Sequence, residues 1–204
     1  MNAFLSSWRA VAFLLCAVMV FFGCGGSDPG ASAFKATDIT GVGFGRDFDL
    51  TDHNGRRRTL ADFRGRLVVI FFGYTNCPDA CPTTLADLSL ALKKLGSDAA
   101  SVQVLFITID PERDTPQLLV QYVPAFNPSF LGLYGDAEET TKVAKEFKVV
   151  YAKYHVSGSD SYVVDHSTGS YVFDQHGKLR LYLPQGFPPD AIAHDLGLLL
   201  KSVG

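Results

Sequence analysis

Cys77 and Cys81, four residues apart, are the most reactive pair of side chains in this sequence. They lie in residues 73–82, between an apolar run and a stretch with helical periodicity. A helix N-terminus would favour the thiolate form of both cysteines. On one face of a helical turn their Cβ atoms would be about 5–6 Å apart. The pair could therefore close a disulfide, exchange electrons with another disulfide, or hold one metal ion.

These uses of the cysteine pair differ in how well the sequence supports them. A permanent disulfide is disfavoured, because a bridge that closes so short a loop removes little chain entropy. A zinc finger is disfavoured, because the sequence has no second cysteine pair and no histidine doublet at finger spacing. A peroxidase would normally place an arginine and a threonine around its cysteine, and no such set surrounds Cys77. A redox pair and a metal site remain.

A metal site built on two sulfur ligands requires a third ligand. Five histidines are candidates: His53, His155, His166, His176 and His194. His166 is favoured by position, because it lies in the connection to a predicted strand at residues 170–173. In a thioredoxin-like arrangement that connection faces the start of the helix that carries the cysteines. The other histidines are expected in turns, in a strand or on the exposed half of the last helix.

The elements that must position these residues follow from hydrophobic periodicity. Continuous apolar runs predict buried strands at residues 67–72 and 102–109, with a helix over residues 83–95 between them. Further helices are predicted at residues 115–123, 136–147 and 189–201, and further strands at 130–134, 151–156, 170–173 and 179–183. This order predicts an α/β fold with a mixed central sheet flanked by helices.

Composition limits the class of protein. The chain has 204 residues, of which 47% are hydrophobic and 19% charged, which suits one ordinary domain and excludes a disordered chain. Its formal net charge of −3 gives no electrostatic reason to expect nucleic-acid binding. Four cysteines in a chain of this length do not make a disulfide scaffold.

The N-terminal segment has the pattern of a membrane-targeting signal. Arg9 precedes residues 10–23, which carry no charge. Gly23 followed by Cys24 resembles a bacterial lipoprotein cleavage site, with lipid attached to Cys24. Phe21 departs from the pattern, since such sites usually have leucine there. An uncleaved anchor is the main alternative, and a plain cleaved signal is a third.

Each of these alternatives sends the rest of the chain out of the cytoplasm, and the first two tether it to a membrane. We therefore expect residues 1–24 to be the signal or anchor, residues 25–40 a flexible spacer, and residues 41–204 the domain. The expected location is the bacterial cell envelope, with the domain on the periplasmic side. Oxidising conditions there would make the redox state of the cysteine pair important.

Four segments in the predicted order resemble one family. They are DFRG at residues 62–65, FFGYTNCPDACPTTL at 71–85, FITIDPERDTP at 106–116 and VDHS at 164–167. Together they are similar to the Sco/SenC family of membrane-tethered copper proteins needed to assemble cytochrome c oxidase. The likeness spans about residues 41–200. Asn76 is a departure, because many members have histidine at that position.

The resemblance implies a single thioredoxin-like domain that binds one copper ion, as Cu(I), Cu(II) or both, through Cys77, Cys81 and His166. Two thiolates and an imidazole are suitable ligands for copper, which supports this assignment. Asp110 is expected either to act near the site, as a hydrogen-bond acceptor that orients His166 or as a group that tunes the site, or else only to cap a turn or helix. Residues 114–116 are expected only to cap a helix.

Two functions fit the same pair of sulfurs. The first is a metallochaperone that delivers copper to the dinuclear copper centre of cytochrome c oxidase subunit II. The second is a thiol–disulfide oxidoreductase that reduces the cysteine pair of that subunit before copper is loaded. Other copper chaperones and a thioredoxin-like reductant are further expected partners. Loss of His166 should separate the two functions, because only copper binding needs the imidazole.

Overall fold

The computed structural model describes residues 33–155, 157–158 and 161–202. The predictions made for the apolar N-terminal segment, including lipid attachment at Cys24, therefore lie outside the described residues. Within the part that is described, no helix is long and apolar enough to cross a membrane.

Ten strands and four helices make up the described chain. The strands are β1 Thr37–Asp38, β2 Asp49–Asp52, β3 Arg57–Thr59, β4 Leu67–Gly73, β5 Val102–Thr108, β6 Leu131–Tyr134, β7 Tyr151–His155, β8 Tyr162–His166, β9 Ser170–Phe173 and β10 Leu179–Leu183. The helices are α1 Ala80–Leu95, α2 Pro116–Phe126, α3 Ala137–Glu146 and α4 Pro189–Lys201. Two short 3-10 helices lie at Leu60–Phe63 and Gly96–Ser101.

Eight of the strands form one mixed sheet in the order β1-β10-β9-β4-β5-β6-β2-β3. Strands β4, β5 and β6 are parallel, and β9 joins β4 in antiparallel orientation. Every residue of β4 and β5 is buried, as expected for central strands that are covered on both faces. The α/β fold with a mixed central sheet, which the order of strands and helices predicts, is therefore confirmed.

Helix α1 connects β4 to β5 and begins earlier than its periodicity predicts. The apolar pattern indicates a start at residue 83, whereas the helix starts at Ala80. Pro82 lies in the first turn, where its missing N–H has no intrahelical partner to lose. Gly96 ends the helix with a φ of +62°. The earlier start places Cys81 inside the helix, while Cys77 stays in the turn before it.

The strands that the sequence analysis missed are short or polar. Strand β1 pairs with β10 through Thr37, inside the stretch interpreted as a spacer. The N–H groups of Lys35 and Ala36 also bond to the buried carboxylate of Asp195, at 3.0 and 2.7 Å. The folded unit therefore begins at Phe34, so a domain boundary at residue 41 lies too late. Local composition did not predict that these residues belong to the domain, because the residues to which they bond are distant in sequence.

Strands β7 and β8 form a separate two-stranded sheet of their own. Strand β8 was not predicted, because only Val163 and Val164 are apolar at its centre. His166 is the last residue of this strand and not part of a loose connection. The hairpin formed by β7 and β8 is called the ligand hairpin below.

Candidate metal centre

The structure brings Cys77, Cys81 and His166 together. Their ligand atoms all lie within 4.8 Å of one another, and no other such group of three occurs among the described residues. The Nε2 atom of His166 lies 3.7 Å from the Sγ atom of Cys81. Bonds from zinc to nitrogen or sulfur ligands are about 2.0–2.3 Å long. Two ligand atoms on one such ion therefore lie no more than about 4.6 Å apart. The three side chains therefore need only a small contraction to share an ion.

Cys77 and Cys81 reach the cluster from the turn before α1 and from its first turn. The N–H of Cys77 donates to the carbonyl of Tyr74 at 3.2 Å, which closes the turn. The N–H of Cys81 then donates to the Sγ atom of Cys77 at 3.4 Å. Cys77 is partly exposed, whereas Cys81 is fully buried. The helix N-terminus thus faces the outer sulfur, as the sequence predicted.

The buried Cys81 thiol has an electrostatic environment that the sequence analysis did not predict. Burial raises the pKa of the Cys81 thiol far above its usual value, and this outweighs the hydrogen bond from the N–H of Tyr74. The expectation that the helix N-terminus favours thiolate at both cysteines is therefore wrong for Cys81. Desolvation of the charged form exceeds the effect of the helix terminus. Burial therefore favours the neutral thiol form of Cys81.

His166 is held in the state that a metal ligand needs. Its Nδ1 atom lies 2.9 Å from the carbonyl oxygen of Ser167. A carbonyl can only accept, so Nδ1 carries the hydrogen and Nε2 presents its lone pair towards Cys81. Burial lowers the pKa of His166, which favours the neutral imidazole at neutral pH. The ring packs edge-on against Tyr74, with the ring centroids 5.9 Å apart.

Gly73, at the end of β4, leaves the space that Cys81 occupies. A Cβ atom at this position would lie 2.8 Å from the Sγ atom of Cys81 and 2.9 Å from the ring of Phe106. Such contacts are too short for carbon, so any larger residue would have to move the sulfur or the ring. The glycine is therefore required by packing at the cluster.

We expect Gly73→Ala to lower affinity for copper, the metal that the sequence resemblance implies, about tenfold, because the displaced sulfur no longer shares an ion well with the other donors. Overpacking should also cost about 1–3 kcal/mol of stability. Copper competition titrations and urea unfolding measure the two effects. Gly43→Ala is the matched control, since a Cβ there meets nothing within 4 Å. Equal copper affinity in both variants would contradict this account of Gly73.

Asp110 is fully buried, and its hydrogen-bond partners lie on the ligand hairpin and in the turn after β5. Its carboxylate accepts from the hydroxyl of Tyr162 at 2.7 Å and from the Nε atom of Arg113. The group that fixes the ring of His166 is the Ser167 carbonyl instead. The following turn is closed by the main-chain carbonyl of Asp110, not by its side chain. Asp110 therefore joins β5 to the ligand hairpin.

Asp114 is the residue near the site whose role the sequence analysis missed. It was expected to belong to a helix cap, but Thr115 is the N-cap of α2. The Asp114 carboxylate is buried and accepts from the N–H of Thr75 at 3.0 Å and from its hydroxyl. It also accepts from the hydroxyl of Thr108 at 2.6 Å. Asp114 therefore fixes the loop that leads to Cys77.

The remaining candidate histidines do not join the cluster. His155 and His176 are exposed, and His194 contacts Asp195 on α4. His53 lies in a turn, where it is half-buried, and its Nδ1 atom accepts the N–H of Gly132 at 3.1 Å. Of the five histidines, only the one favoured by its position reaches the cysteines.

Comparison with known proteins agrees with the geometry of this cluster. A family model described as SCO1/SenC matches residues 37–201 of the chain. The chain belongs to the SCO1/SenC family. Residues 37–201 include the cysteine loop, the turn after β5 and the ligand hairpin. The resemblance stated from four sequence segments is therefore confirmed.

Relatives occur in both mitochondria and bacteria. The chain is 44% identical over 138 residues to the mitochondrial SCO2 homolog of Bos taurus, covering 67% of this chain and 52% of the relative. It therefore spans about half the length of that relative. It is 41% identical over 138 residues to an SCO2-like protein of Rickettsia conorii, covering 67% of each chain.

A solved member of the family carries the metal that the donor set suits. ScoI of Bradyrhizobium japonicum, solved with copper bound, is 38% identical with a TM-score of 0.69, covering 75% of this chain and 97% of that one. The likeness confirms a single thioredoxin-like α/β domain. The Cys-Cys-His cluster of this chain, together with copper in that relative, supports copper as the metal.

Proposed function

We propose that this protein is a copper metallochaperone that binds one ion through Cys77, Cys81 and His166. The observation that carries the proposal is the convergence of two sulfurs and one imidazole within 4.8 Å, in a family with a copper-bound member. Its acceptor is proposed to be the dinuclear copper centre of cytochrome c oxidase subunit II. The support for this acceptor is that the chain belongs to the SCO1/SenC family and that its sequence segments resemble copper proteins needed to assemble cytochrome c oxidase.

The arrangement of the three donors suits the transfer of an ion better than its permanent storage. Two thiolates exceed the charge of Cu(I) by one negative charge, so a neutral imidazole is a sensible third ligand. Cys77 and His166 are partly exposed, whereas Cys81 is buried. A ligand from a partner could therefore reach the ion from the side of the exposed donors and exchange with them one at a time.

A second function, thiol–disulfide exchange, is favoured by the free state and exposure of Cys77. The Cys77 thiolate would attack a disulfide in the partner, forming a mixed disulfide and releasing one partner thiolate. Cys81, once deprotonated, would attack Cys77 and release the second. Two electrons would pass to the partner, and the chain would keep a Cys77–Cys81 disulfide. A thioredoxin-like dithiol would then be needed to reduce it again.

We also propose that the domain is tethered to a membrane of the bacterial cell envelope and faces the periplasm. The support is the apolar segment that precedes Cys24. The lipid would be attached to Cys24 itself. Other copper chaperones are proposed as donors of the ion. Mass spectrometry of the mature chain would test the lipid. Cleavage would make Cys24 the first residue, and a diacylglyceryl group on that cysteine would add to the mass.

Anaerobic titration of the reduced full chain in detergent, with Cu(I) and separately with Cu(II), tests the proposed function. We expect one tight equivalent. Transfer is then tested by mixing the loaded chain with the apo copper-binding domain of an oxidase subunit II. Failure to bind either ion would refute the chaperone and leave the reductase. Tight binding without any transfer would refute delivery alone.

A further inference from the structure

The copper ligand His166 sits on an element that the central sheet does not hold. The ligand hairpin forms its own two-stranded sheet, with Tyr151 opposite His166 and His155 opposite Tyr162. Its place against the domain must therefore depend on contacts other than the hydrogen bonds of the central sheet. The position of the imidazole depends on those contacts in turn.

The two faces of the hairpin have different surroundings. Successive residues of a strand point to opposite faces, so Tyr162, Val164 and His166 share one face. On this face Val164 is buried and the His166 ring reaches Cys81. The opposite face carries Val163 and, across from it, Tyr154, which are 43% and 56% exposed. The inner face thus carries the ligand at one end and Tyr162 at the other.

Tyr162 is held from several sides. Its hydroxyl donates to Asp110 at 2.7 Å, and its carbonyl accepts from the Nη1 atom of Arg113 at 2.8 Å. The guanidinium carbon of Arg113 lies 3.6 Å from the centre of the Tyr162 ring, and the Nζ atom of Lys153 lies 4.9 Å from it. A cation over the face of a tyrosine ring is attracted to it electrostatically, so both contacts help to hold the ring in place. Tyr162 and Arg113 are together called the tyrosine clamp.

The clamp and the cysteine loop are attached to the same turn of chain. Asp110 and Arg113 hold the ligand hairpin through Tyr162, while Asp114 holds the loop through Thr75. The N–H groups of Arg113 and Asp114 both donate to the carbonyl of Asp110, which makes the turn compact. One short turn after β5 therefore sets the distance between the two halves of the metal centre.

We propose that Tyr162, clamped by Arg113, is a positioning residue for His166 and that the clamp selects for Cu(II) over Cu(I). The proposal rests on the proposed copper-binding function. Two thiolates alone are a good environment for Cu(I), whereas Cu(II) prefers tetragonal sites with nitrogen or oxygen ligands. Loosening the imidazole should therefore weaken Cu(II) binding more than Cu(I) binding. The residues that fix the hairpin thus adjust which oxidation state the site retains.

The full chain carrying Tyr162→Phe tests the clamp, with Tyr154→Phe as the matched control on the outer face of the same hairpin. We expect Tyr162→Phe to lower Cu(II) affinity about tenfold and Cu(I) affinity less. The nitrogen hyperfine coupling of the imidazole in the Cu(II) EPR spectrum should change as well. Tyr154→Phe should leave all three unchanged. Wild-type Cu(II) affinity and an unaltered EPR spectrum in Tyr162→Phe would overturn the proposal.

Arg113 provides a second test that spares the tyrosine. Arg113→Met should lower Cu(II) affinity in the same way, and Arg113→Lys should restore part of it by returning the charge over the ring. If both arginine variants bind Cu(II) as the wild type does, the clamp is refuted even where Tyr162→Phe folds poorly.

A measurement on the reduced, copper-free chain separates this proposal from the proposed function. The imidazole NMR signals of His166 should shift in Tyr162→Phe and stay unchanged in Tyr154→Phe. If the wild-type chain bound no copper, the proposed function would fail, but this shift would still report whether Tyr162 positions the ring. If the wild type bound copper and the signals did not shift, the clamp alone would fail.

Discussion

Cys81→Ala is expected to abolish tight copper binding, and Cys77→Ala is expected to do the same. Each change removes one of two sulfurs and leaves a thiolate and an imidazole, too few ligands to hold the ion tightly. Cys81 is buried, so its loss also leaves a small cavity that costs about 1 kcal/mol. Cys77 is partly exposed, so its loss should affect copper binding with little effect on stability.

Anaerobic titration against a chromophoric copper chelator measures this effect, and urea unfolding of the copper-free chain shows that the variants fold. Thr84→Ala, on the same helix, is the control, since its hydroxyl donates to the carbonyl of Ala80 one turn earlier and the residue is not a member of the cluster. We expect about one equivalent for the control and none for either cysteine variant. One tight equivalent retained by Cys81→Ala would place the metal elsewhere.

His166→Ala is expected to lower copper affinity at least tenfold, or about 1.4 kcal/mol, while the Cys77–Cys81 disulfide stays reducible. The imidazole completes the donor set, with its Nε2 atom 3.7 Å from the buried sulfur. Thiol–disulfide exchange uses only the two sulfurs. The variant therefore separates the carrier from the reductase.

Two measurements on the same preparation make that separation: a copper competition titration and a redox titration of the thiol pair. His176→Ala serves as the control, because this exposed histidine lies in a hairpin turn away from the cluster. If His166→Ala retained the wild-type copper affinity, the imidazole would not be a ligand. Loss of thiol exchange together with copper binding would mean that His166 also supports the redox reaction.

The sequence by itself determined the elements whose signals are local. The apolar runs of β4 and β5 predicted two buried central strands, and the leucine spacing predicted α1. The position of the cysteine pair before that helix followed from the same pattern. Four short segments then indicated the family, with Cys77, Cys81 and His166 as its expected copper ligands. The strands and the helix depend on neighbours within one turn or strand, so sequence periodicity shows them directly, whereas the ligand set was implied by the resemblance to the family.

The tertiary structure alone decided how that site is held and charged. Asp110 and Asp114 look alike in sequence, but one bonds to the ligand hairpin and the other to the cysteine loop. The pKa of the Cys81 thiol is raised because the folded chain buries it, although its place at a helix N-terminus predicted the opposite. His166 meets the sulfurs only because the hairpin is folded over the end of β4. Burial and contacts between distant residues arise when the chain packs, so local sequence patterns do not contain them.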